Sequence, residues 1–439
     1  MSDHPVISWN EAGEEKTARW RSESGSPPPK RVMIADDRMT ADTAYRLACE
    51  GTALLWRGDF QNARQLLQAM ARRADGNPSV RKNQRIAATP NGHARSPLLN
   101  PLPHTGEEAN ESLRGLNLKN AFNLHRQAQS QRARTLGMLL LPFNADHSIP
   151  LRRAPDVHLA CTETYGPATN EPYIASLRGL QGLIGAYEWR KNGVDIPALG
   201  ARIHPHYGVF APIRSEYVGL VAAAPLPQLA GIPASLSPTL SRQREREQTN
   251  RCASLPFSAT QSVAFDIGTG TGVLAAVLAR RGIQRIVATD MDTRALDCAR
   301  ENLTRLGLAA QVEVVQADLF PAGRASLIVC NPPWVPARPS SPLEHAVFDP
   351  DSRMLLGFLN GLAAHLAPGG EGWLILSDLA EHLGLRTRAE LLAAIDAAGL
   401  KVLEKSDVKP HHPRVSDSSD PLHAARAAEL TSLWRLGVK

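Results

Sequence analysis

Three glycines alternate with other residues in the run Phe265-Asp266-Ile267-Gly268-Thr269-Gly270-Thr271-Gly272. Before them, residues 262–267 carry the apolar side chains Val263, Ala264, Phe265 and Ile267, which predicts a buried strand. After them, residues 273–281 place Val273, Leu274, Val277 and Leu278 on one helical stripe. A strand that turns directly into a helix through glycines belongs to an α/β layer fold. Glycine permits positive φ and carries no Cβ, so a ligand can lie on the backbone. The unpaired N–H groups at the helix start favour a polar or anionic group. The spacing is G-x-G-x-G, not the G-x-G-x-x-G of dinucleotide folds.

The same unit repeats downstream. Residues 285–289 read as a second strand ending in Asp290, placed as an acid that accepts hydrogen bonds from a ribose diol must be. Asp292 reads as the N-cap of a helix over 293–306. A third strand, 311–316, leads into Ala317-Asp318-Leu319-Phe320. A fourth, 326–330, runs straight into Asn331-Pro332-Pro333-Trp334.

Two successive prolines fix φ and remove two N–H donors, and Pro332 pushes Asn331 towards extended backbone. The segment is stiff, with carbonyls free to face a ligand. The Asn331 side-chain oxygen and the Pro332 carbonyl can each accept a hydrogen bond from an N–H₂ group. Such a grip orients a weakly nucleophilic planar nitrogen and stabilises charge that develops on it. Trp334 offers a flat face for an amide or a base to stack on.

These residues resemble a known family. The glycine run with Asp266 is similar to motif I of class I S-adenosylmethionine-dependent methyltransferases, and Asn331-Pro332-Pro333-Trp334 resembles their (N/D)-P-P-(F/Y/W) element. The stretch from His206 to Val221 resembles the G-V-F-x-P lead-in of the small-domain group, which includes release-factor glutamine and ribosomal RNA methyltransferases. The chain departs from the glutamine enzymes at Ala211-Pro212-Ile213-Arg214-Ser215-Glu216, where P-R-P-(E/D)-(T/S)-E is usual. The resemblance covers roughly 200–439.

It implies a Rossmann-like doubly wound sheet of seven strands with an antiparallel last strand, and S-adenosyl-L-methionine as cofactor. It implies cofactor-binding roles for Asp266, Gly268, Thr269, Gly270, Gly272, Asp290 (ribose), Asp318 (adenine amine), Leu319 and Asn331. It gives the chemistry to Asn331, Pro332, Pro333 and Trp334, and the substrate entrance to Phe210, Pro212 and Arg214. The implied activity is methyl transfer to a planar nitrogen of a macromolecule. That acceptor is a protein such as a release factor or ribosomal protein, or an RNA or DNA base. A dinucleotide-dependent oxidoreductase and a small-molecule methyltransferase are the alternatives.

The rest of the chain is read from pattern. With 439 residues and 43% hydrophobic content, it is long enough for two or three cores. Residues 1–30 are polar and end in Ser26-Pro27-Pro28-Pro29, which predicts a disordered tail. Residues 31–199 are expected to form a mostly helical substrate-recognition domain, with helices over 41–56, 60–73 and 118–136 and strands at 139–141, 157–161 and 194–196. Insertions are expected near 74–113 and 230–255, and the cofactor-binding domain over 200–439. Past the clamp, a helix over 351–366, a turn at Pro368-Gly369-Gly370 and a helix over 387–398 closed by Gly399 alternate with three strands. His411 and His412 read as surface histidines.

No apolar run is long enough for a membrane span, and no basic-then-apolar leader opens the chain. Five scattered cysteines without a C-x-x-C pair read as reduced thiols of a cytoplasmic protein, with no metal site. A net charge of +6 fits a phosphate-rich partner only weakly.

Overall fold

The computed structural model describes residues 4–76, 106–227, 263–339, 344, 346–410 and 420–439, with 106–117 described by backbone alone. The expected insertion at 230–255 and His411 and His412 lie outside the described residues, as does 77–105 of the first insertion.

Two sheets organise the chain. The N-terminal one has six strands: β1 (Val6–Glu11), β2 (Glu14–Trp20), β3 (Arg31–Ala35), β4 (Thr52–Trp56), β5 (Leu139–Phe143) and β6 (Tyr173–Ser176). Their order is β1-β2-β6-β5-β4-β3, with β3, β4 and β5 parallel. This corrects the expectation of a mostly helical domain behind a disordered tail. Residues 6–20 form an antiparallel edge hairpin turning at Ala12 and Gly13, both at positive φ. Its sequence is dominated by charged and polar residues because most of its positions face water. Ile7 and Trp20 point inward and are buried with Ala53, Leu55, Leu140 and Ile174.

Three further elements differ from the sequence reading. The long helix expected over 41–56 is a helix, α1 (Ala41–Cys49), followed by strand β4. Gly51 at φ +81° stops the helix, and Ala53-Leu54-Leu55-Trp56 is buried on both faces as a parallel strand requires. The strand expected at 157–161 is instead part of the helix His158–Tyr165 and its N-cap Val157. Val157, Ala160 and Cys161 are buried there, an i, i+3, i+4 spacing. Residues 106–113, placed in the insertion, begin the helix Gly106–Leu136.

The second sheet has the order β11-β10-β9-β12-β13-β15-β14. Its strands are β9 (Val263–Ile267), β10 (Arg285–Asp290), β11 (Val312–Gln316), β12 (Ala325–Cys330), β13 (Leu366–Ser377), β14 (Leu400–Val408) and β15 (Thr431–Val438). The first five are parallel, and β15 runs antiparallel to both neighbours. Pro368-Gly369-Gly370 is not a turn outside the sheet but an irregularity inside β13, where the register with β12 shifts.

Each face of this sheet is covered. Leu327 and Val329 of β12 join a core with the helices Glu216–Ala223, Val273–Arg280 and Thr293–Arg305. Ile328 and Cys330 point the other way, onto the helices Arg353–His365 and Arg388–Ala397. The short hairpin of β7 (Val194–Ile196) and β8 (Ala201–Ile203) packs on the first of these cores, which therefore reaches back to Val194.

Among the described residues the two units touch at several places, two of them through ion pairs. Arg190 of the N-terminal unit pairs with Glu301 at 2.7 Å, and His206 reaches the same carboxylate at 2.7 Å. Burial pushes the Glu301 carboxyl up, but the His206 hydrogen bond and the Arg190 charge outweigh it and hold the group at about 2. Phe122 of the helix Gly106–Leu136 packs against Val335, Leu383 and Leu422, and Arg126 pairs with Glu344 at 2.9 Å.

Candidate active site

The order of the second sheet reverses between β9 and β12, the position at which sheets of this kind take ligands, at the carboxyl ends of the strands. The glycine loop, Asp290 and the proline clamp all leave the sheet at that end.

Gly268, Gly270 and Gly272 have φ of +70°, +55° and +80°. Side chains are disfavoured there, which accounts for the alternation in the sequence. A Cβ on Gly272 would approach Ala299 Cα at 3.2 Å, so the loop also needs glycine to pack on the next helix. Gly270 has nothing within 4 Å on its open side, whereas the methyl end of Met354 lies against Gly268.

Asp266 holds this loop from beneath. Its Oδ2 accepts from Thr269 Oγ1 at 2.7 Å and from the Ala275 N–H at 3.0 Å. Ala275 is the third residue of a helix whose N-cap, Gly272, has no side chain, so Asp266 supplies the missing acceptor. Thr269 is thereby spent inside the loop, and its hydroxyl serves Asp266. The other oxygen, Oδ1, is buried with no partner. Burial pushes the Asp266 carboxyl up to about 6, and the Asp290 charge adds to the rise.

Asp290 accepts the Gly270 N–H on Oδ2 and the Asp292 N–H on Oδ1, each at 3.0 Å. Each oxygen keeps a free lone pair. Burial raises this carboxyl too. Asp292 N-caps the following helix through the Arg294 N–H, as its spacing predicts. Met291, beside it, is largely exposed. Asp318, expected to accept from the adenine amine, is exposed and paired with Arg353 at 2.9 Å. Leu319 adopts φ +72°, and its carbonyl accepts from Thr289 Oγ1 at 2.6 Å.

At the clamp, Asn331 Oδ1 accepts from Trp334 Nε1 at 2.8 Å. Indole N–H is a donor only, so the amide oxygen must face it. Trp334 is itself held on two sides. The Arg214 guanidinium lies 5.0 Å from its ring, and Tyr217 meets it edge-on at 6.5 Å. Arg214 in turn pairs with buried Glu429 at 3.0 Å, and Glu429 also accepts from Ser377 Oγ at 2.6 Å. The ring expected to offer an open stacking face thus already carries a cation on one side. Of the lead-in residues, Arg214 reaches the clamp, while Phe210 packs half-buried on the core and Pro212 is buried.

Beyond the clamp, a bridge between Val335 and Phe348 brings Asp349 close. Asp349 is buried and caps the helix Arg353–His365 through the N–H groups of Met354 at 2.9 Å and Leu355 at 3.2 Å. Asp351 and Ser352 follow at φ +56° and +54°. Two consecutive non-glycine residues in the left-handed region store strain of the kind that gathers at functional sites. Glu429, Asp349 and Met354 escaped the sequence reading, for each is a single residue without a motif signal, and Tyr217 stood in the lead-in stretch without being singled out. Among the described residues no cluster could hold a metal ion.

Residues 253–387 match the family model described as "Methyltransferase small domain". The chain is 37% identical over 146 residues to the ribosomal protein L11 methyltransferase of Pelotomaculum thermopropionicum, covering 33% of this chain and 39% of the relative. It is 32% identical over 153 residues to the release factor glutamine methyltransferase of Cereibacter sphaeroides, covering 32% of this chain and 52% of the relative. The chain thus spans about half or less of these relatives' lengths. Among solved structures, a ribosomal protein L11 methylase from Lactobacillus delbrueckii subsp. bulgaricus aligns at 19% identity and a TM-score of 0.28, covering 40% of this chain and 69% of that one. A methyltransferase from Thiobacillus denitrificans in complex with S-adenosyl-L-homocysteine aligns at 16% and 0.30, covering 40% and 85%. The glycine loop, the acid after β10 and the proline clamp all fall within the matched segment.

Proposed function

We propose that the chain is an S-adenosylmethionine-dependent methyltransferase acting on a planar nitrogen of a protein involved in translation. The observation that carries this reading is Asn331. Its side-chain oxygen is turned to a fixed direction by Trp334 and keeps one lone pair for an acceptor N–H, at the strand ends that the glycine loop borders.

These strand ends suit the cofactor. Gly270 is open, the buried Asp266 Oδ1 lacks a donor, and Asp290 has lone pairs left for two hydroxyls. Asp290 and residues 268–272 would hold the ribose and the amino-acid end. Asp318 would reach the adenine amine only by sharing its carboxylate with Arg353. When bound, S-adenosylmethionine supplies a methyl group activated by a sulfonium.

Asn331 then accepts a hydrogen bond from the acceptor nitrogen and orients its lone pair, a proximity effect. As the nitrogen gains positive charge, the same carbonyl oxygen stabilises it. The prolines keep this acceptor from swinging away. No side-chain base is required, since a nitrogen that has become cationic loses its proton readily to water.

A protein acceptor is preferred because the two relatives reported above act on a ribosomal protein and on a release factor by their names. The N-terminal unit would present it, since Phe122 packs on Val335 next to the clamp. No helix among the described residues is long and apolar enough to cross a membrane. We place the activity in the cytoplasm on the cysteine pattern. The test uses the purified chain, methyl-labelled S-adenosylmethionine and lysate from cells lacking the gene. Label that only protease removes supports the proposal. Label that only ribonuclease removes makes the acceptor an RNA base, and label in neither fraction makes it a small molecule.

A further inference from the structure

Arg386 lies in the loop between the helices Leu379–His382 and Arg388–Ala397, which follow β13. The loop therefore stands at the same end of the sheet as Asn331, one strand over. Its Leu383 and Leu385 pack in one apolar cluster with Val335, Phe348 and Trp334. The Arg386 side chain is buried, and its Nε and Nη2 have no hydrogen-bond partner among the described residues.

Three carboxylates face it, Glu381, Asp349 and Glu390, with the like charge of Arg388. Each carboxylate is engaged elsewhere. Glu381 receives Arg388 Nε at 2.8 and 3.0 Å, Asp349 caps a helix, and Glu390 closes a capping box with Thr387. Burial lowers the affinity of Arg386 for its proton, but a guanidinium stays charged in a protein. A buried cation without a bonded partner is costly, and a chain that keeps one has another use for it.

Nε and Nη2 are the two parallel donors along one edge of the guanidinium, the edge that fits an oxyanion with both bonds at once. The chain uses that same edge on carboxylates elsewhere. Arg435 holds Glu371 with both nitrogens at 2.8 Å, and Arg57 holds Glu11 at 2.8 and 2.7 Å. Arg132 holds Asp75 at 2.7 and 3.2 Å.

We propose that Arg386 is a carboxylate-binding site that anchors an acidic residue of the acceptor protein beside the nitrogen to be methylated. The acceptor half of this statement rests on the methyltransferase reading; the carboxylate site does not. Local opening of the loop would admit the ligand.

The test is thermal melting of the full chain and of Arg386→Met and Arg386→Lys, at matched ionic strength. Without ligand, Arg386→Met should melt higher than the parent by roughly 2–4 °C, because it removes a buried charge whose desolvation no hydrogen bond offsets. N-acetylglutamate should raise the melting point of the parent, raise Arg386→Lys less, and leave Arg386→Met unmoved. A lower melting point for Arg386→Met would mean a structural partner holds the guanidinium and would overturn the site. So would a parent that responds to inorganic phosphate but not to N-acetylglutamate. S-adenosylhomocysteine is run alongside: if it shifts none of the three proteins, the methyltransferase reading fails, while the carboxylate arm still reports on Arg386.

Discussion

Both sheets have parallel strands that end in aspartates, yet the two sets of acids live differently. In the N-terminal sheet, Asp59 follows β4, is buried, and receives Arg153 at 2.7 Å, Arg152 at 3.2 Å and the Gln61 N–H at 2.8 Å. Asp37 follows β3 and accepts from the Asp59 N–H and from Asn62. The space is filled: a Cβ on Gly58 would come to 2.4 Å from Asp37 Oδ1. In the second sheet, among the described residues, Asp266 and Asp290 bond no arginine, Asp266 Oδ1 has no donor, and Gly270 is open. One set of acids is satisfied by its neighbours as scaffold and the other keeps unused acceptors. The same architecture serves either purpose, and at these aspartates the unused acceptors lie in the second sheet.

The sharpest way to break this contrast is at Asn331. Asn331→Ala should lower kcat by about a thousandfold, near 4 kcal/mol, the scale seen when a group that meets developing charge is removed. Affinity for S-adenosylhomocysteine, read by calorimetry, should stay within a factor of about two. Unchanged turnover would take Asn331 out of the chemistry.

A second test reads the cost of leaving Asp266 without a cation. Its folded-state value of about 6 lies above the ordinary 3.8, so between those values the native chain holds a proton that the unfolded chain has lost. This contribution to stability is therefore fully present below 3.8 and is lost as pH rises through about 6. At 1.36 kcal/mol per unit the whole loss is about 3 kcal/mol. Asp266→Asn cannot ionise, so urea midpoints compared with the parent should show that this falling limb has gone. If the two pH profiles run parallel, the carboxylate is solvated or paired in a way that these contacts omit.

The contrast also explains what the sequence could show. In the second sheet the inner strands β9, β10 and β12 are largely buried on both faces, so they and the neighbouring β11 are placed by the sequence within a residue or two of where they lie. The hairpin Val6–Trp20 hides the same kind of structure behind Glu14-Glu15-Lys16-Thr17, because an edge strand needs only an occasional inward residue. At the site, motif residues were legible because backbone geometry demands them: glycine for positive φ, proline for stiffness. Their supports were not. Glu429 reaches Arg214 across 215 positions, and only the fold brings them together.

Asp290→Ala should weaken S-adenosylhomocysteine binding by about 1–3 kcal/mol, from lost hydrogen bonds to a charged acceptor and a freed Gly270 N–H. Asp59→Ala is the paired control. It strands two arginines and should lower the melting temperature while leaving cofactor affinity alone. Equal effects of the two on affinity would erase the distinction between site and scaffold.

The smallest effect is the most discriminating, because two tryptophans, one ending β4 and one following β12, each bond the indole N–H to a residue three positions away. Trp56 Nε1 donates to the Asp59 carbonyl at 3.0 Å, fully buried, and Trp334 Nε1 donates to Asn331 Oδ1 at 2.8 Å. Phenylalanine keeps much of the ring and removes the donor in both. Trp56→Phe leaves a buried carbonyl short of a partner, so it should lower the melting temperature and spare kcat. Trp334→Phe removes the group that decides which way the Asn331 amide points. The amide can then turn its NH₂ towards the acceptor nitrogen, a donor facing a donor, and such molecules are unproductive. The expected loss is about tenfold in kcat, near 1.4 kcal/mol, with KM and cofactor affinity little changed. Equal turnover in Trp334→Phe and parent would show that the prolines alone orient Asn331, and that the bond from Trp334 is packing of the same kind as the bond from Trp56.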